Sequence, residues 1–169
     1  LWIHILESDH TMTNEERTAL ISKYREGYRT VQEALAGATA RELDARPAPD
    51  KWTAREIVHH LADSEMTAAI RLRRLLAEDQ PVIHAYDQDA YARKLHYGDR
   101  PIESSLQALR FARETTAELL DRLQPADWTR MGTHPEHGPY GIEQWLKIYG
   151  SHAHNHAEQI TRARAVGKS

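Results

Sequence analysis

The sequence predicts an all-α protein, a four-helix bundle with extra short helices in its connections. Three observations carry that prediction. Four long stretches repeat their apolar residues at the helical period. Strand signals are nearly absent, with one Phe in 169 residues and no alternating apolar run between turns. Breaks rich in Pro and Gly separate the stretches. Helices of this kind bury their apolar stripes against one another.

The first helix is expected from Asn14 or Glu15 to Leu35. Asn14 is a candidate N-cap, and acidic side chains in "EER" suit the positive end of the helix dipole. Leu20, Ile21, Tyr24, Tyr28, Val31 and Leu35 form its stripe. The segment "GATARELDARPAPDKW" is a break, because Pro47 and Pro49 stop any helix. The second helix lies in "WTAREIVHHLADSEMTAAIRLRRLLAEDQP", opened by a Thr53/Glu56 capping box and followed by Pro81. A shorter helix in "YDQDAYARKLHYGDRP" precedes Pro101, and another long one runs from Ile102 to Leu123. "QPADWTRMGTHPEHGPYG" reads as a loop, and the last helix as Ile142 to Ala165.

No repeat, linker or low-complexity tract divides the chain, so residues 1–169 are expected to form one domain. Residues 1–13 are expected to be a peripheral N-terminal arm. The opening "LWIHIL" lacks the basic flank of a signal peptide, and no apolar run approaches the roughly 20 residues of a membrane span.

Composition excludes several kinds of chemistry. There is no cysteine, hence no disulfide, no thiolate zinc site and no cysteine nucleophile. The absence fits a cytoplasmic protein. A net charge of −3 gives no footprint for nucleic acid or an anionic membrane. The basic run "RLRR", Arg71 to Arg74, reads as a solvated helix face.

Eleven histidines stand out. "WLKIYGSHAHNHAEQI" places three of them at alternate positions. At about 100° per residue, His152 and His156 lie one turn apart on the side of Trp145, Tyr149, Ile160 and Ala163. His154 points nearly the opposite way, toward solvent. An i, i+4 pair of imidazoles can chelate one cation, although inward histidines are also common as hydrogen-bonded core. A third ligand has two candidate sources. In "IVHHLADSE", His60 borders the apolar stripe near Ser64, Thr67 and Arg71, whereas His59 falls toward the polar side. In "THPEHG", His134, Glu136 and His137 could bind a metal or line a pocket mouth. Three neutral imidazoles would leave coordination positions open, as a catalytic metal requires. Asp63 and Glu65 are nearby carboxylates with no assigned role, and His4, His10, His84 and His96 stand in no ligand pattern.

With "KWTAREIVHHLADSEMTAAIRLRRLLAED", "YDQDAY", "HPEHG" and "YGSHAHNHAEQI" together, the chain resembles the DinB-like superfamily, and within it the YfiT-type branch. The likeness covers Asp50 to the C-terminus, with the preceding helix fitting in length. It implies a four-helix bundle, often dimeric, with one divalent metal held by three histidines. Carried onto this sequence, the ligands are His60, His152 and His156; His154 is additional to the minimal pattern. Zinc or nickel is the metal implied first, with iron or manganese next.

The resemblance also implies the reaction class. Some members transfer a low-molecular-weight thiol such as bacillithiol to an electrophile; others are named hydrolases, in which metal-bound water attacks. Both need a cation that favours deprotonation of the nucleophile. Thiol transfer is the expected activity here and hydrolysis the alternative, with a small-molecule substrate in either case. A non-catalytic, stress-related metal-binding module is the reading from another class. Lacking cysteine, the chain would take its nucleophile from outside.

Overall fold

A computed structural model describes residues 11–168. Most of the expected N-terminal arm, with His4 and His10, lies outside the described residues. Met12 is buried and its backbone N–H donates to Glu143, so the arm expected over 1–13 gives way to core by that residue.

Six α-helices and one β-hairpin follow in order among the described residues: α1 Asn14–Leu35, α2 Ala40–Asp44, α3 Ala54–Ala77, α4 Gln88–Lys94, α5 Glu103–Leu120, β1 Met131–His134, β2 Gly138–Gly141 and α6 Ile142–Ala165. The long helices α1, α3, α5 and α6 make the bundle. In it α6 packs on both α1 and α3, and α3 also packs on α5.

Three helices start with the same device. Thr13, Thr39 and Thr53 each cap the N–H three residues on, while Glu16, Glu42 and Glu56 reach back to the cap's own N–H. The cap of α1 is therefore Thr13 and not Asn14, because only Thr13 has a Glu at the third position. Helix α2 lies inside the segment expected to be a break; its "TARE" opening is identical to that of α3. Helix α5 ends near Leu120, about a turn early, with Leu123 closing an i→i+3 turn before Pro125.

The expected loop after α5 contains a hairpin. Met131–His134 pairs antiparallel with Gly138–Gly141, and Gly138 takes φ 74° in the turn. The segment after α3 joins it, with Thr133 N donating to Pro81 O at 2.9 Å and Ile83 N to Thr133 O at 2.8 Å. Gly132 permits this approach, since a Cβ there would lie 2.4 Å from the Pro81 carbonyl oxygen. The hairpin is thereby fixed over the C-terminal half of α3.

Two apolar clusters fill the bundle, one around Tyr24, Leu72, Leu75, Trp145 and Leu146, the other around Val31, Ile57, Leu61, Leu109 and Ile160. In the first, the Trp145 indole donates to the Ala68 carbonyl at 2.8 Å. Buried Glu65 is bound by Arg113 at 2.5 Å and by the Tyr24 hydroxyl. Gly27 makes room for the Arg113 guanidinium, which a Cβ would meet at 2.6 Å. A buried ion pair is tolerable only when its hydrogen bonds are satisfied in this way. Glu65 is thus committed to holding helices together.

Candidate metal centre

The three histidines singled out from the sequence converge. His60 comes from the second turn of α3, and His152 and His156 from successive turns of α6. Their ring centroids are 5.4 Å (60–152), 4.7 Å (60–156) and 4.5 Å (152–156) apart. One nitrogen from each ring lies within 4.8 Å of the others. The i, i+4 spacing gives the pair on α6, and packing of α6 on α3 brings the third ring across.

Burial sets the protonation of this cluster. It pushes His60 down to about 3 and His156 down to about 4, and holds His152 well below the usual imidazole range. A second proton on any ring would be desolvated. The rings are therefore neutral at physiological pH, each keeping one lone pair. His60 Nδ1 and His152 Nδ1 are buried without a hydrogen-bond partner. His156 Nδ1 lies 2.8 Å from Gln159 Oε1, which accepts its proton and leaves the lone pair on Nε2. Buried polar atoms of this kind are costly unless a ligand completes them. An all-imidazole donor set suits zinc, nickel, copper or iron. The residues present fit a divalent ion.

Two rings wall the cluster. Trp52 lies 4.8 Å from His60 and Tyr149 5.7 Å from His152. Trp52 also lines a cleft of about 250 Å³ with Arg46, Glu56, Asp89 and Arg93. The position of Trp52, just before the α3 cap, fixes its approach to the second turn.

The hairpin supplies a second group, His134, Glu136 and His137, whose donor atoms also lie within 4.8 Å of one another. His134 is buried and stacks on His137 at 4.6 Å. Its Nδ1 accepts the Glu136 N–H at 3.2 Å, so a lone pair is already used in the turn.

Three expectations about individual residues are corrected. His59 is buried, not on a polar face; its ring nitrogens bond Ser105 Oγ at 2.8 Å and the Arg100 carbonyl at 3.1 Å, because α5 and the segment before it cover that side of α3. His154 faces α1 and not open solvent, with Nε2 2.8 Å from the Lys23 carbonyl. Within "RLRR", Arg71 is buried, donating to the His84 carbonyl and the Tyr149 hydroxyl. Of the nearby carboxylates, Asp63 accepts the Tyr97 hydroxyl. The functional candidates missed in the sequence are Arg71, Tyr140 and Gln159. Arg71 lies on the same border of the α3 stripe as His60, which was the available signal.

A helical bundle with a three-histidine cluster defines a class of protein, and comparison gives its family. The DinB superfamily profile matches residues 23–160, and the chain belongs to that superfamily. A relative from Oceanobacillus iheyensis, named "putative metal-dependent hydrolase", is 33% identical over 153 residues, covering 90% of this chain and 88% of its own. One of the same name from Halalkalibacterium halodurans is 29% identical, covering 94% and 88%. The solved structure of YfiT from Bacillus subtilis superposes with a TM-score of 0.87 at 27% identity, over 95% of this chain and 93% of that one. That protein is described as a probable metal-dependent hydrolase with an unusual four-helix bundle topology. No helix among the described residues is long and apolar enough to cross a membrane.

Proposed function

We propose that His60, His152 and His156 bind one divalent metal ion, zinc or nickel before iron or manganese, and that the chain is an enzyme activating an external nucleophile there. The observation that carries this reading is the convergence of three neutral imidazoles, two with buried nitrogens left unpartnered by protein. When bound, the ion supplies a positive charge that favours loss of a proton from a thiol or a water beside it. The protein's part is to hold three rings in place, fix the His156 tautomer through Gln159, and exclude solvent with Trp52 and Tyr149. Having no cysteine, the chain provides no thiolate of its own.

Transfer of a low-molecular-weight thiol to an electrophile is the preferred reaction. Hydrolysis is the second reading, favoured by the names of the relatives. The test is conjugation of candidate thiols to monochlorobimane by zinc- or nickel-loaded protein, run beside the hydrolysis of activated esters. Metal-dependent conjugation that disappears in His156→Ala is the expected result. Metal-dependent ester cleavage alone selects hydrolysis. Metal binding that raises thermal stability without turnover of either substrate selects a non-catalytic module.

A further inference from the structure

Three arginines are buried among the described residues, and they differ in one respect. Arg113 is paired with Glu65 and Arg164 with Glu42. Arg71, 5% exposed, has only neutral partners: Nε and Nη2 donate to the His84 carbonyl and Nη1 donates to the Tyr149 hydroxyl at 2.9 Å. A guanidinium has five N–H donors, so two remain. A buried charge without a counter-charge is costly, and its usual remedy is an opposite charge.

The surroundings of Arg71 also offer donors. The Tyr149 hydroxyl accepts from Arg71 and retains its own proton. The Tyr140 hydroxyl is buried with no hydrogen-bond partner, and the Arg71 guanidinium is near enough to favour its ionised form against the effect of burial. A phenol carries its proton at neutral pH and burial raises Tyr140 above its ordinary value, so both hydroxyls are able to donate. His134, also close to this charge, is held neutral first by burial and then by Arg71. Tyr149 touches both regions, bonding Arg71 and lying 5.7 Å from the His152 ring.

We infer that Arg71, Tyr140 and Tyr149 form a receptor for a carboxylate, so that the substrate or thiol used at the three-histidine site is a carboxylic acid anion. This deepens the metal-enzyme reading and rests on it for the word substrate, but the receptor itself does not depend on the metal. A carboxylate fits better than a phosphate dianion, because the only cation in this group is one guanidinium and the remaining donors are neutral.

The test is a titration of the full-length protein, metal-stripped and zinc-loaded, followed by NMR of the Arg71 Nε–H group. Propionate, propionamide and inorganic phosphate are the probes. Propionate should bind both forms and shift that signal, with propionamide and phosphate binding at least tenfold more weakly. Tyr140→Phe removes a hydroxyl that has no protein partner, so it should fold normally and weaken propionate about tenfold. Arg71→Gln should abolish binding while keeping its zinc; if it fails to fold, Tyr140→Phe decides alone. No propionate binding by folded wild-type protein, equal binding by Tyr140→Phe, or a preference for phosphate would overturn the receptor. Zinc binding with no propionate binding defeats the receptor alone. The converse result defeats the metal reading alone.

Discussion

Two histidine groups of nearly equal compactness lie among the described residues, and they differ in what their nitrogens already do. At the bundle site, two buried ring nitrogens have no partner and the His156 tautomer leaves Nε2 open. In the hairpin, His134 Nδ1 accepts from the Glu136 backbone. Glu136 and His137 are exposed. Proximity alone does not separate the two groups. The state of the lone pairs and the rigidity of the supporting elements do: two long helices hold one group, a short turn the other.

Substitution sharpens the contrast most strongly. His60→Ala should lower metal-dependent activity at least 100-fold, measured with saturating metal, whereas His137→Ala should leave it within about twofold. Zinc should stabilise the wild-type fold by about 4 kcal/mol when present at about 1,000 times its Kd. Calorimetry should find that increment missing from His60→Ala and intact in His137→Ala.

Gln159 tests the supporting bond. Gln159→Leu should weaken zinc about tenfold with little change in fold, as removal of a ligand's hydrogen-bond partner usually does. A competition titration against a chelator reads the effect.

The same burial predicts the pH response of the metal-free protein. The unfolded chain takes up protons on these histidines near pH 6.5, while the folded chain resists, His156 down to about 4 and His60 to about 3. More protons are then bound to the unfolded state, so stability falls as pH drops from 6.5 toward 4 and is fully present above 6.5. Denaturation by urea at successive pH values should show this slope, and replacing His60 with Leu should flatten it. His137→Ala should change the stability by no more than about 0.5 kcal/mol.

Most of the bundle was legible because its helices carry one clear apolar stripe and reciprocal caps. Helix α6 was placed from Ile142 to Ala165 as expected, and its i, i+4 histidines were read from that stripe. The errors share a cause. A single helical wheel assumes one buried face, whereas α6 also meets α1 at His154, and α3 meets α5 at His59. Arg71 was assigned to solvent for the same reason: Pro81 to His84 and the hairpin cover it, and that covering is long-range. The hairpin itself is four residues a side, too short and too rich in Gly for alternation to register. Helix α2 could have been found from its "TARE" box but was masked by the prolines after it.

The two groups would present different ligands to a metal, and X-ray absorption at the zinc edge distinguishes them most directly. Full-length protein loaded with one equivalent of zinc should show three imidazole ligands and a remaining sphere of light solvent atoms. Two imidazoles with a protein carboxylate, the composition of the hairpin group, would contradict the three-histidine site.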